Sequence, residues 1–318
     1  MNPLHSVLVG VDFTPWSAAA LNQAIRLAAW DDAAVHVLHA IDVCAVTELE
    51  VGLADLGETP EGLRDCFVQE ARAEWEQFAA PVPGARELDL EVVIGTPADV
   101  VLGRARRHAA DLVVLGVQGA VSGVGAVAAA CLRRGGVDVL LVRRQQGGPF
   151  KVVVGCVDFS EASGPVLAEA ARVAARDRAA LHVVHVYHGP WHPLQYWPRT
   201  PGMAGDYPRR YRDTMLRRLE GIYRLSSQTP AGVKPQFHVF EHAGYVAGIA
   251  EFAADVGADL IVLGRRDRWS IEEALLGGTA ERVGRQAGCS VLAVRQNAAE
   301  ERGMERDAGN VQTVASAV

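Results

Sequence analysis

Residues 258–294 read ADLIVLGRRDRWSIEEALLGGTAERVGRQAGCSVLAV. The apolar run Leu260-Ile261-Val262-Leu263 stops at Gly264 and gives way to a polar loop. Gly277-Gly278-Thr279 then opens a helical pattern that ends in a second apolar run at 291–294. Unbroken apolar runs of this kind suit strands of a parallel sheet covered on both faces. A strand ending in glycine, a loop, and glycines at a helix start place backbone N–H groups where an anion can meet them. Residues 110–142, ADLVVLGVQGAVSGVGAVAAACLRRGGVDVLLV, repeat the unit. The chain carries it twice, and the differences between the copies bear on function.

Outward from these two stretches the same alternation continues. Residues 5–11 form an apolar run ending at Asp12, and Thr14-Pro15 marks a helix start with Thr14 as N-cap. A strand is expected at 35–41, then an acidic linker at 42–60, a helix at 61–80 and a strand at 88–94. Thr96-Pro97 is a second cap-and-proline start, with Asp99 placed as in a capping box. A strand at 111–116, a helix at 125–134 and a strand at 137–142 complete the unit. From 146 residues further on the pattern restarts: Val157-Asp158-Phe159-Ser160 repeats Val11-Asp12-Phe13-Thr14, with Ser160 in the cap position. His36 and His39 return as His182 and His185. This is an internal duplication joined near QQGGP at 145–149. It divides the chain into 1–146, 147–296 and a polar tail, 297–318, expected to be disordered. Alternating strands and helices make each half a doubly wound α/β domain with a parallel sheet. Ligands in such sheets bind beyond the carboxyl ends of the strands, where the strand order reverses. Asp12, Asp158, Gly116 and Gly264 all end strands.

The composition narrows the function. Of 318 residues, 49% are hydrophobic and 22% charged, a globular balance with no apolar run long enough to span a bilayer. No signal-peptide pattern opens the chain, and the five scattered cysteines form no CxxC pair. A cytoplasmic protein with small buried thiols is expected. A net charge of −7 without a basic tail argues against nucleic-acid binding. Arg210, Arg217 and Arg224 recur every seven residues and read as a solvated helix face with Asp213 and Glu220. There is no P-loop lysine, no G-x-S-x-G elbow and no GxGxxG after the first strand, so no catalytic residue is expected. His182 and His185 lie three apart on a strand and face opposite sides. His185, His188 and His192 have prolines between them and no carboxylate or cysteine partner, so no metal site is expected.

The pieces VGVDFTPWS and VGCVDFSEAS, VVIGTPADV, ADLVVLG and ADLIVLG, and GGTAERVGRQAGCSVLAVR resemble the universal stress protein family in its tandem, two-domain form. The resemblance covers about 4–144 and 150–296. It implies Rossmann-like domains of strand order 3-2-1-4-5 that pair through their last strands, an intramolecular pseudo-dimer, with further association into a homodimer left open. In one subclass it also implies adenine-nucleotide binding. There an aspartate ending strand 1 and a backbone group after the strand 2 histidine hold adenosine, and a G-x2-G-x9-G-[ST] loop holds phosphates. Carried over, the second half supplies Asp158, Val186, Gly264, Gly277, Gly278 and Thr279, with Arg268 beside the loop. The first half supplies Asp12, Ala40, Gly116, Gly119 and Gly125.

Neither loop matches the pattern fully. In the second, Asp267 stands where a glycine is expected and Gly278 where the hydroxyl is, with Thr279 next to it. A carboxylate facing phosphate is repulsive, and Glu272 and Glu273 add to this; Arg265, Arg266 and Arg268 offset it. In the first, only five residues lie between Gly119 and Gly125, against nine in the pattern. The second half is therefore the better candidate for ATP or AMP, and the first is chiefly structural. Each assignment has a plainer reading: Asp158 as a cap of its own turn, the glycines as packing positions. The aromatic segment 187–207, with Trp191, Tyr196 and Trp197, suits a lid over the second cleft or a partner surface. The sequence thus supports a non-enzymatic stress-response regulator that binds an adenine nucleotide. The alternative is a protein-interaction module with both loops decayed. Slow ATP hydrolysis lacks a positioned base.

Overall fold

The computed structural model describes residues 3–56, 62–118, 124–143, 147–160, 162–189, 206–225, 232–265 and 278–295. The 297–318 tail, Trp191, Tyr196 and Trp197 lie outside them, as do Asp267, Glu272 and Glu273. In the first half the elements are β1 (Ser6–Gly10), α1 (Pro15–Ala28), β2 (Ala34–Asp42), α2 (Val43–Asp55), α3 (Leu63–Ala79), β3 (Leu90–Gly95), α4 (Pro97–Arg107), β4 (Leu112–Gly116), α5 (Ala126–Arg134) and β5 (Asp138–Val142). The second half holds β6 (Val152–Cys156), α6 (Ser163–Asp177), β7 (Ala180–Tyr187), α7 (Tyr207–Leu225), β8 (Gln236–Glu241), α8 (Tyr245–Asp255), β9 (Leu260–Arg265), α9 (Thr279–Gln286) and β10 (Ser290–Arg295).

The ten strands among the described residues form one sheet in the order β3-β2-β1-β4-β5-β10-β9-β6-β7-β8. Each half has its strands in the order 3-2-1-4-5, all parallel. The halves join where β10 runs antiparallel to β5, pairing Val291 with Leu141 and Ala293 with Val139. Side chains alternate across the sheet: Val7 and Val9 enter one core with α1, α3, α6 and α7, while Leu8 enters the other with α4, α5, α8 and α9.

The two halves are also locked across one face by reciprocal ion pairs. Arg26 of α1 meets Asp177 at 2.5 Å, and its repeat counterpart Arg172 meets Asp31 at 2.8 Å. Reciprocal contacts of this kind are the signature of a two-fold interface, here within one chain.

Several local readings need correction. Residues 43–55 of the expected acidic linker are helix α2, capped by the Asp42 side chain on Cys44 N–H at 2.9 Å. Only Val46 of this helix is buried, so it carries no apolar stripe to reveal it. Ser160 does not cap α6, which begins at Ser163 behind Ala162. Asp99 does not complete a capping box at Thr96, whose side chain makes no cap bond; it pairs with Arg134. Cys44 and Cys66 are exposed rather than buried.

Candidate functional site

β6 ends at Cys156, and Val157 extends its pairing with β7 through one more bond, N–H to Val184 C=O at 2.9 Å. The chain then turns sharply. Phe159 has φ 62°, a left-handed conformation that bulky residues avoid, and Phe13 has φ 59° at the matching place. Ring contacts accompany both: Phe159 lies 4.2 Å from His185 and Phe13 lies 4.5 Å from His39. Each histidine donates its Nδ1 hydrogen to the carbonyl before the aspartate, Val157 or Val11, at 2.8 Å. A carbonyl can only accept, so this bond sets the tautomer. Burial holds His185 below the ordinary histidine range, against the opposing pull of the Val157 carbonyl and Asp158.

Asp158 sits at the top of this turn. Its Oδ1 accepts from Ser160 N–H at 2.9 Å, Ser160 Oγ at 2.5 Å and Ser163 Oγ at 3.3 Å. The surrounding walls desolvate the carboxylate, but these bonds outweigh that cost and hold it below its usual range. The turn-capping reading of Asp158 is thus realised at Oδ1, while none of the three donors uses Oδ2.

Behind Asp158 a cavity of about 410 Å³ opens between the ends of β6 and β9, where the strand order reverses. Asp158, Val186, Gly264, Gly278 and Thr279 all line it, together with Leu132 from the first half. Its walls are largely apolar. Among the described residues the charged side chains on these walls are Asp158, Arg265 and Glu281. Gly278 precedes α9 in extended conformation and no side chain caps it; the first intrahelical bond is Arg282 N–H to Gly278 C=O at 3.0 Å. The earlier N–H groups of α9 therefore have no partner within the helix, and the cavity lies against them.

The first half arranges the same parts differently. Asp12 Oδ1 accepts from Thr14 N–H and Oγ1 at 3.2 and 2.6 Å. A methyl placed on Gly116 would fall 2.4 Å from the carbonyl carbon of Trp16, so α1 rests directly on the end of β4. At the equivalent Gly264 the nearest atom is the Ala162 side chain at 2.9 Å, and the backbone oxygen is 4.0 Å away. Because α6 starts two residues later in the repeat than α1, its first turn stands off and leaves the cavity. Gly125 takes φ 76° ahead of α5, which its lack of a Cβ permits. Ala40, in β2, is half-buried. Gly119, Arg268 and Gly277 lie outside the described residues.

Leu132 and Glu281 were not foreseen on the cavity wall; Arg265 was expected beside the phosphate loop, and it lines the cavity while donating to the Leu132 and Val137 carbonyls. Glu281 follows Gly278-Thr279 closely enough to have been suspected; Leu132 comes from a distant part of the chain and gave no signal. His182 and His238 stand 3.1 Å apart on the opposite face from His185, both held low by burial. Among the described residues no three metal-ligating side chains come together.

The model of the universal stress protein family matches twice, at residues 3–143 and 149–295. The chain belongs to this family. No curated protein matches it. Among solved structures, a universal stress protein from Archaeoglobus fulgidus DSM 4304 aligns with TM-score 0.64 at 17% identity, covering 92% of this chain and 98% of that one. A functionally unknown protein from Pseudomonas aeruginosa PAO1 aligns with TM-score 0.57 at 15% identity, covering 92% of each. A universal stress protein from Archaeoglobus fulgidus, solved in complex with dAMP, aligns with TM-score 0.31 at 24% identity, covering 46% of this chain and 98% of that one. The universal stress protein fold thus occurs twice in one chain, and among the described residues no helix is long and apolar enough to cross a membrane.

Proposed function

We propose that this tandem universal stress protein binds an adenine nucleotide, AMP or ATP, in its second half and acts as a non-enzymatic regulator of a stress response. The observation that carries the reading is the cavity on which Asp158, Val186, Gly264, Gly278 and Thr279 converge. In this reading Asp158 Oδ2 accepts a hydroxyl or amine hydrogen of adenosine, and the backbone at Val186 meets the base. The phosphate faces the N–H groups at the start of α9 that have no partner within the helix. The apolar walls suit a base, since small-molecule sites combine such walls with a few polar groups that fix orientation. The first half is structural, because α1 fills the space beside Gly116. The units are taken as 1–146 and 147–296, forming a pseudo-dimer.

The test is nucleotide analysis of the freshly purified protein by absorbance ratio and chromatography, followed by calorimetry with AMP and ATP. Bound nucleotide, or a millimolar or tighter Kd lost in Asp158→Ala, is the expected result. An empty protein with no binding heat at millimolar ligand would reject the reading and leave the interaction-module alternative.

A further inference from the structure

The helix that faces the cavity, α9, belongs to the second half but is held by the first. At its amino end Glu281, only 1% exposed, accepts from Arg133 Nη1 at 3.0 and 2.9 Å on its two oxygens. Arg285 reaches the same carboxylate at 2.5 Å. At the carboxyl end, Arg143 Nη2 donates to Gly284 C=O at 2.7 Å and Ala287 C=O at 2.8 Å, and its Nη1 to Gln118 C=O at 2.5 Å. Arg143 is itself buried, and burial depresses its pKa. At this same end, a methyl on Gly284 would come within 3.0 Å of Leu141 and 3.1 Å of Val124, both in the first half.

The arrangement is unequal between the halves. Aligning Val137 with Cys289 sets Arg133 against Arg285 and Glu281 against Ala129. Two pseudo-symmetric arginines therefore share one carboxylate, and it lines the cavity of the second half. Leu132, next to Arg133, lines that cavity, and its carbonyl accepts from buried Arg265 of the cavity wall at 3.1 Å.

We infer that Arg133 and Arg143 of the first half are positioning residues for ligand binding in the second, fixing α9 so that its amino end meets the ligand's phosphate. This rests on the adenine-nucleotide reading of the cavity. It makes the two halves one binding unit rather than a site and a spare copy. Arg133 acts through Glu281 and Arg143 through the last carbonyls of α9, so neither needs to touch the ligand. The consequence is selective: the phosphate contact depends on where α9 lies, whereas the adenosine contacts at Asp158 and Val186 belong to β6 and β7.

The experiment is calorimetric titration of the full chain with AMP and with adenosine, for wild type, Arg133→Gln, Arg143→Gln and Asp158→Ala. Hydrogen exchange of α9 amides is measured in each ligand-free protein. Arg133→Gln and Arg143→Gln are expected to weaken AMP about tenfold while leaving adenosine within about twofold, the scale of a helix-terminus contact with an anion. Both should speed exchange in α9 and not in α8. Asp158→Ala should weaken both ligands alike. Equal loss of AMP and adenosine in the arginine variants, or no loss of either, overturns the positioning role. Unchanged α9 exchange overturns the clamp itself. If wild type binds neither ligand, the nucleotide reading fails and the ligand part of this inference with it, whereas the exchange measurement still decides the clamp. Arg133 is 38% exposed at its side chain, so its replacement is compatible with folding even if that of Arg143 is not.

Discussion

Asp138 shows how one buried group ties stability to pH. Burial raises its pKa to about 6, against the opposing bond it accepts from Arg295 N–H at 2.7 Å. A carboxyl whose folded pKa lies above its unfolded value of 3.8 favours folding when protonated. That contribution is full below about pH 4 and is lost as pH rises through about 6. Asp138→Asn keeps an acceptor for Arg295 without the charge. It should raise stability at pH 7.5 by on the order of 1–3 kcal/mol and give no gain at pH 4, as read by urea denaturation at both pH values. A variant no more stable than wild type at pH 7.5 would show that Asp138 is not held charged at a cost. Ser290 occupies the matching place on β10, donating nothing titratable and accepting from Arg143 N–H at 3.1 Å. The sequence carried no hint of the Asp138 shift, because the burial comes from packing the two halves together.

At the scale of elements, strands and helix starts were legible where the physics is local. β1, β4, β6 and β9 are apolar runs because they are buried on both faces, and Thr14-Pro15 caps α1 as its residue types require, with Thr14 Oγ1 accepting from Ser17 N–H at 3.4 Å. What was not legible is how closely a helix start approaches a neighbouring strand. Gly116 and Gly264 end equivalent strands and read alike in sequence, yet one meets backbone and the other a side chain. This difference predicts unequal costs for the same substitution. Gly116→Ala forces a methyl into the Trp16–Ser17 backbone and should cost several kcal/mol, on the order of overpacking in a core. Gly264→Ala meets Ala162 Cβ at 2.9 Å, next to open volume, and should cost clearly less. Thermal melts of the two variants decide it. Equal losses would mean that α6 stands no further from its strand than α1 does. The candidate site shares this division. Asp158, Gly264 and Gly278 were named from pattern and family resemblance and line the cavity, whereas the arginine that holds Glu281 is 148 residues away and that pairing is visible only in three dimensions.

At the scale of the whole molecule, the halves share one sheet through β5 and β10 and exchange ion pairs on one face of it. Two domains of ordinary size joined by a short linker often unfold separately. Here the edge strand each half would expose is covered by the other, and separating them strips partners from charges with little access to water. Asp177 and Asp31 have side chains only 3% and 8% exposed, and each takes an arginine from the opposite half. Asp177 also accepts from Phe150 N–H at 2.8 Å, and Asp31 from Leu4 N–H at 2.9 Å, so each anchors the entry to its own first strand. The molecule should therefore melt as one unit. Tryptophan fluorescence, which includes Trp16, Trp30 and Trp75 of the first half, and far-ultraviolet dichroism should give superimposable urea transitions. Arg26→Ala removes one partner of a largely buried pair together with its stacking on Trp30 and Phe150, at 5.2 and 5.3 Å. The loss should be on the order of 3 kcal/mol, as for other broken buried pairs. It should lower the midpoint at both probes together, because the unpaired Asp177 lies at the boundary and not inside either core. Two separated transitions in the wild type, or a shift seen by dichroism but not by fluorescence in Arg26→Ala, would mean that the shared sheet does not couple the halves.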